Sequence, residues 1–413
     1  MLAIPPTLPP VHVVSSPDVA ATAPAPVTPA TPASPTGSGA YSNTFTDDWF
    51  GLRTGLADHG ISFNGYGAND NSWNLRGGKS THNFVSRARL TLGMNLDTDK
   101  LFGWAGGTVV SSVRFHFGPN GNDIQLGSLQ GFSYIDDNPP TTQLYELYFK
   151  QTLLGDKLTL QAGRMDANNI FDIPVDATDF INPSAPDAPL TLQNAPPSQA
   201  PGLAAFVTAI PGTTLILGAF FNGRSHPTAL DAMLNTLATI DEPNGTSLNV
   251  ELDHNYHIAA NMPGTVGVGA FWRTGQLPTL NDGTQSGTGG GWAFIDQTLW
   301  QCQDNSHRVA TFANFTANDP HVSLIDYSFQ AGLLAAGMIP GRHDDKIGLG
   351  VDYAHLSPGA GTPHPYELVT ECFYECYLGR GMTLQPDLQY FNRTGGGTYP
   401  DALIALLRLS VNF

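Results

Sequence analysis

The side chains able to do chemistry stand at alternate positions inside short apolar runs. Arg87 and Arg89 flank Ala88 ahead of Leu90, Arg114 and His116 alternate with Val113, Phe115 and Phe117, Asp387 and Gln389 alternate with Leu388 and Tyr390, and Arg408 lies between Leu407 and Leu409. Further acids at similar positions are Glu146, Glu251, Asp253, Asp326, Asp352, Glu367, Glu371 and Glu375. Arg donates in a planar fork and an ionised carboxylate only accepts, so the set suits reversible hydrogen bonding to a polar partner. Bond-breaking chemistry lacks its motifs. Gly77-Gly78-Lys79-Ser80 looks like the end of a phosphate-binding loop, but Trp73 stands where the first glycine is required. His254 and His257 fall on opposite faces of one strand candidate. Cys372 and Cys376 share a strand candidate and lie about 13 Å apart, too far for a disulfide, with no His or third Cys at ligand spacing. Paired carboxylates would suit glycoside hydrolysis, but 35 Asp and Glu make chance pairs unavoidable. No catalytic residue, metal or cofactor is expected, and a soluble glycan-acting β-enzyme stays only as an alternative.

Such alternation belongs to strands, whose side chains have a period of two. Turn signals divide the chain into sixteen strand candidates, at 61–74, 82–97, 106–117, 142–153, 157–164, 203–210, 213–223, 248–258, 264–274, 289–301, 307–317, 323–337, 346–356, 366–379, 381–392 and 402–413. After every second strand the connection is mostly tight, as at Gly155-Asp156, Pro211-Gly212, Asn261-Met262-Pro263 and Arg380, whereas 118–141, 165–202 and 224–247 are long. Short turns at one end and long loops at the other predict a closed antiparallel transmembrane barrel, with turns in the periplasm and loops outside. In four strands the charges share one face; sixteen strands enclose too wide a space for side chains to fill, so that face is expected to line a water-filled lumen. The last strand places Phe413, Val411, Leu409 and Leu407 on the lipid side and Arg408 and Ser410 inside, and must pair with the first strand to close the barrel. The terminal Phe413 is the expected signal to the barrel-assembly machinery.

Composition agrees with an all-β class. With 45 Gly, 13% charged residues and no apolar run near helical membrane-span length, neither an α-helical membrane protein nor a disordered chain fits. The net charge of −17 argues against nucleic acid as a partner. Residues 1–44 read as a disordered Pro/Ala/Thr-rich tether, with ten Pro and no Lys or Arg in the first forty. Residues 45–60 read as a short amphipathic N-terminal helix over about Asp47 to His59, and 61–413 as the barrel. Met1-Leu2-Ala3-Ile4-Pro5 offers no secretory signal, so an outer-membrane location requires one upstream of this numbering.

Three stretches resemble the carbohydrate-selective porins of the OprB family. They are Tyr145-Glu146-Leu147-Tyr148-Phe149 with Leu160-Gln161-Ala162-Gly163-Arg164-Met165-Asp166-Ala167-Asn168-Asn169-Ile170-Phe171, then Glu367-Leu368-Val369-Thr370-Glu371 with Leu384-Gln385-Pro386-Asp387-Leu388-Gln389-Tyr390, and the opening Trp49-Phe50-Gly51-Leu52-Arg53. Phe391-Asn392-Arg393-Thr394 departs from the family's usual Asn-Pro-Gly turn. The resemblance implies passive diffusion of monosaccharides and similar small polar solutes across the outer membrane of a Gram-negative bacterium, with a general porin or exporter on the same barrel as the alternative. The expected pore-lining residues are Arg87, Arg89, Arg114, His116, Glu146, Glu251, Glu371, Asp387, Gln389 and Arg408, with Arg408 beside the other three arginines. Binding by them must be weak, since a tightly held solute blocks a pore. The segment 165–202 is either a constriction loop folded into the mouth or an external lid; Arg164, Asp166 and Asn168 are its candidate residues, although strict alternation puts Arg164 on the lipid side. The sequence leaves the oligomeric state open, a homo-oligomer included.

Overall fold

A computed structural model of the chain describes residues 41–136, 142–186, 199–221, 245–304 and 306–413. The expectation for the tether therefore falls outside the described residues, except at its end. There Tyr41 is buried, its ring 3.8 Å from the guanidinium carbon of Arg53, so residues 41–44 belong to the folded part. Sixteen strands follow: β1 Ile61–Arg76, β2 Phe84–Asp97, β3 Gly107–Phe117, β4 Thr142–Leu153, β5 Leu158–Asp166, β6 Gln199–Ile210, β7 Thr213–Phe221, β8 Thr246–Ala259, β9 Met262–Pro278, β10 Thr284–Gln301, β11 Arg308–Asn318, β12 Ile325–Ala336, β13 Lys346–Leu356, β14 Tyr366–Gly379, β15 Met382–Asn392 and β16 Ala402–Asn412. Each pairs antiparallel with its sequence neighbours, and β16 closes on β1 with Asp70 opposite Arg408.

Closure leaves no free sheet edge, which is the condition for strands to cross lipid. Exposure is inverted relative to a soluble protein. On β13 Leu349 is 53% exposed while Asp352 is 1% exposed, and the same split recurs on β2, β3, β15 and β16. Aromatic side chains line the long-loop end along β12–β14, where Tyr353 lies 6.3 Å from Tyr327 and 5.5 Å from Tyr366 across neighbouring strands. Such girdles mark the lipid–water boundary.

Turn chemistry explains the short end. Between β14 and β15 both Arg380 (φ 51°) and Gly381 (φ 68°) are left-handed, the type I′ geometry whose twist matches that of a hairpin. Between β6 and β7 Pro211 cannot adopt a positive φ, so Gly212 (φ 76°) alone takes the left-handed position, as in a type II turn. Met262 and Pro263, expected in a turn, are already in β9. β9 and β10 also run further outward than expected. The Gly/Thr/Ser-rich stretch after residue 274 reads as loop, yet cross-strand pairing continues to Pro278 opposite Thr284, past a bulge at Gly287.

The amino-terminal helix is shorter than expected. α1 spans Leu52–Asp58, and Phe50 (φ 60°) breaks the turn before it. Arg53, not the apolar face, is buried: its guanidinium donates to Thr44 Oγ1 (3.0 Å), to the Asp47 carbonyl (3.1 Å) and to the Phe63 carbonyl (2.9 Å). Trp49, Phe50 and Leu52 face outward.

The lumen is not simply water-filled. The described parts of two long loops, 118–136 and 167–186, fold inward and carry apolar side chains that pack against the barrel wall. Phe180 sits edge-on to Phe312 (5.3 Å) and Phe373 (5.0 Å), and Phe171 edge-on to Phe220 and Trp292 (6.2 Å each). Glycines on the inner wall make room for them: a Cβ on Gly350 would lie 2.7 Å from the Phe180 ring, and one on Gly218 2.8 Å from Phe171. Phe180→Ala is expected to weaken docking of the inner loop by about 3–5 kcal/mol, the usual cost of deleting a buried phenyl group. Faster proteolysis within 167–198, with heat-modifiable migration retained, checks this; an unchanged cleavage rate would assign the docking to polar contacts alone.

Candidate functional site

A cavity of about 480 Å³ lies against the inner wall of β2, β3 and β4. The wall contributes Arg89, Arg114 and Tyr145; loop 118–141 contributes Asn120, Asn122, Ser133, Tyr134 and Asp136; Asp166, Asn168, Asn169 and Thr178 come from the start of the constriction segment. Two guanidinium groups stack on two phenol rings. Arg114 lies 3.2 Å from the centroid of Tyr145, and Arg89 lies 5.0 Å from that of Tyr134, whose ring also has Arg408 at 4.0 Å. Their remaining bonds fix the forks: Arg114 Nε donates to Thr91 Oγ1 (3.1 Å) and Arg89 to the Tyr134 carbonyl (3.0 Å).

A bulge aims Tyr145 into this cavity. In the β3–β4 register Ser112 faces Glu146 and Val113 faces Leu144, which leaves Tyr145 as the extra residue. A bulge places two residues against one and redirects a side chain. Tyr145 thus points inward beside Glu146, its hydroxyl donating to Asp166, while Asn169 donates to both Tyr145 Oη (3.3 Å) and Glu146 Oε1 (3.2 Å). Asp166 also accepts from the Asn168 amide at 3.0 Å.

Several other lumen-facing charges hold loop backbone rather than line the cavity. Glu371 accepts from the amides of Ile181 (2.6 Å) and Asn182 (3.0 Å), and Glu251 from that of Asp172 (2.8 Å) and from the Trp292 indole. Glu367 accepts from Ser128 Oγ (2.7 Å) and the Gln130 amide (3.1 Å), and Asp296 from the Asp176 amide (2.7 Å). Gln389 donates to the Phe132 carbonyl and to Asp387 (3.0 Å each) and accepts from Asn182 (3.1 Å), so it joins both inward loops. Arg87 donates to the Ile135 carbonyl at 2.5 Å and stands 3.6 Å from Asp136. Arg408 makes a two-point contact with Asp70, 2.7 Å on each arm.

The sequence-derived set therefore divides. Arg89, Arg114, Asp166 and Asn168 line the cavity. Glu146 supports it through Asn169. Arg87, Glu251, Glu371, Asp387, Gln389 and Arg408 are buried in the anchoring contacts, and His116 is buried outside the lining. Arg408 does not join a bare arginine row, because Asp70 stands opposite it on one side and opposite Arg87 on the other. Arg164 is a correction to the constriction set. β5 keeps its alternation as far as Arg164, which pairs with Pro201 on the lipid-side parity, half-buried, with Nε donating to the Leu144 carbonyl at 2.9 Å; the alternation fails at Asp166, which shares that parity yet lines the cavity. Of the alternatives for 165–202, the described residues 167–186 fold into the lumen; residues 187–198 lie outside the described part. Sequence reasoning missed Tyr134 and Asp136, which sit in a loop without periodicity, and Tyr145, whose inward aim depends on the bulge.

Residues 82–413 match the family described as "Carbohydrate-selective porin, OprB family". The chain belongs to this family. Porin B of Pseudomonas aeruginosa is 24% identical over 416 aligned residues, covering 89% of this chain and 90% of the relative. Among solved structures, the high-pH structure of Pseudomonas putida OprB superimposes with a TM-score of 0.80 at 21% identity, covering 90% of this chain and 99% of that one. The low-pH structure of the same protein gives a TM-score of 0.61 at 19% identity, covering 90% and 98%. At these identities the structures establish a shared fold, and the family match establishes a carbohydrate-selective porin of the Gram-negative outer membrane.

In this porin, Asp136 gives the cavity a titration near neutrality. Burial pushes its carboxyl up to about 6 from the ordinary 3.8, against the opposing pull of the Asn122 and Gly121 amides (2.7 and 2.6 Å) and Arg87. A raised carboxyl value means that the folded loop holds the proton more tightly than the unfolded chain does. The stabilisation is full below 3.8 and is lost as pH rises through about 6. Cation preference of the single channel is expected to increase as pH rises through this window, and Asp136→Asn to remove that step. An identical pH profile in the variant would place the titrating group elsewhere.

Proposed function

We propose that this porin selects monosaccharide-sized polyols at the cavity between β2–β4 and the two inward loops. The observation that carries this reading is the pairing of two planar cations with two phenol faces beside carboxylates and amides. Arg89 and Arg114 offer N–H groups in fixed planes to hydroxyl oxygens; Asp136 and Asp166 accept from hydroxyl hydrogens; the tyrosine faces shed water next to C–H surface. Every group is already supported by a neighbour, so entry of a solute exchanges hydrogen bonds instead of creating a deep well, and the solute leaves as readily as it enters. Arg87, Glu251, Glu371, Gln389 and Arg408 serve the same selection indirectly by holding the loops that define the cavity. Phe413, whose amide still bonds the Gly65 carbonyl at 2.9 Å, is the proposed contact for the barrel-assembly machinery. Liposome swelling tests the reading: glucose should enter faster than an amino acid of equal size, and equal rates would reduce the protein to a general porin.

A further inference from the structure

The short-turn end of the barrel carries donors of three chemistries in one turn. Between β10 and β11, Cys302, Asp304 and His307 bring Sγ, a carboxylate oxygen and a ring nitrogen within 4.8 Å of one another. Sγ is 2.7 Å from Asp304 Oδ1 and 3.7 Å from His307 Nδ1. The turn is held shut behind them: the Cys302 amide donates to the His307 carbonyl and the His307 amide to Sγ, each at 3.1 Å. Ser306 Oγ lies 2.8 Å from Asp304 Oδ1 and 2.6 Å from His307 Nδ1. From the neighbouring turn between β12 and β13, exposed His343 stands with its ring centroid 5.5 Å from that of His307, edge to face.

We propose that Cys302, Asp304 and His307 form a binding site for a borderline-soft divalent cation, Zn²⁺ in particular, with His343 as the fourth donor. Tetrahedral zinc with sulfur at about 2.3 Å and nitrogen or oxygen at about 2.0 Å places donor atoms roughly 3.4–3.6 Å apart. The sulfur–nitrogen separation of 3.7 Å lies just outside this range and closes by roughly 0.1–0.3 Å on binding. The shorter sulfur–oxygen distance is that of a thiol donating to the carboxylate, and it opens by under 1 Å when the thiol proton leaves. Binding is a ligand exchange without redox change: the S–H bond breaks, its proton passes to solvent, sulfur bonds the metal as thiolate, and His307 binds as neutral imidazole. Thiolate and imidazole select against Ca²⁺ and Mg²⁺, which prefer oxygen alone. None of these residues touches the sugar cavity, so the site is separate from the pore chemistry.

Co²⁺ is the probe, added to the reduced, metal-free full chain in detergent after its thiols have been counted. One Co²⁺ per chain with a thiolate-to-cobalt charge-transfer band and a tetrahedral visible spectrum is expected, displaced by Zn²⁺. Cys302→Ser should remove the band, and His307→Ala should weaken binding at least tenfold, with both variants showing the heat-modifiable migration of a folded barrel. Cys372 and Cys376 remain in both variants as an internal control. The proposal is overturned if the native chain binds no Co²⁺, if its spectrum lacks the charge-transfer band, or if Cys302→Ser binds as tightly as the native protein.

Discussion

Arg89→Ala combined with Arg114→Ala is expected to abolish sugar preference while leaving an assembled barrel. Each guanidinium lines the cavity with N–H groups not consumed by its one strong bond, to the Tyr134 carbonyl or to Thr91 Oγ1. A hydrogen bond to a charged group contributes about 1.5–3 kcal/mol, and 1.4 kcal/mol is tenfold in affinity, so each arginine accounts for roughly ten- to a hundredfold in sugar occupancy. Assembly should survive because the anchoring contacts run through other residues, Arg408 with Asp70 and Glu371 with the inner loop. The readout is the ratio of glucose to amino-acid swelling rates, expected to fall towards one. Arg114→Lys separates shape from charge: a lysine keeps the cation but loses the planar stack on Tyr145, so ion selectivity should hold while sugar preference declines. A double alanine variant with the native ratio would remove the cavity from the account of selectivity.

Glu371→Ala should enlarge the pore. Its carboxylate is fully buried and accepts the consecutive amides of Ile181 and Asn182, the two residues that directly follow Phe180. Removing the acceptor leaves two buried N–H groups without it, at about 1–3 kcal/mol each. With Glu251 and Asp296 still anchoring the amides of Asp172 and Asp176, the segment around Phe180 is expected to loosen from the wall, so single-channel conductance in planar bilayers should rise with noisier open levels. Glu371→Gln keeps one carbonyl for one amide and should fall between the two. Native conductance in the alanine variant would show that the aromatic clusters dock the loop unaided.

Strands, their number and the two ends of the barrel were legible because each is a local property. β4, β13 and β14 begin and end at the expected residues, since period-two alternation and turn residues are written along the chain itself. The faces were legible for the same reason: Arg87, Arg89, Arg114, Asp387, Gln389 and Arg408 all point inward, opposite lipid-facing Leu92, Leu388 and Leu409. Alternation says which face a side chain takes, not what it meets there. Glu251, Glu371 and Gln389 face the lumen and meet loop backbone far away in sequence, a partner fixed only when loops fold inward.

The amino-acid sequence by itself determined a closed sixteen-stranded barrel of the OprB family, with lipid outside and charge inside, because side-chain period and turn chemistry act over a few residues. Tertiary structure alone decided which charges line the cavity. Asp70 separates Arg408 from Arg87 through the register of the closing seam, a bulge turns Tyr145 inward, and two loops engage Glu251, Asp296, Glu367 and Glu371 with their own amides. Each of these depends on how distant segments pair and pack, and leaves Arg89 and Arg114 on Tyr134 and Tyr145 as the cationic face of the cavity.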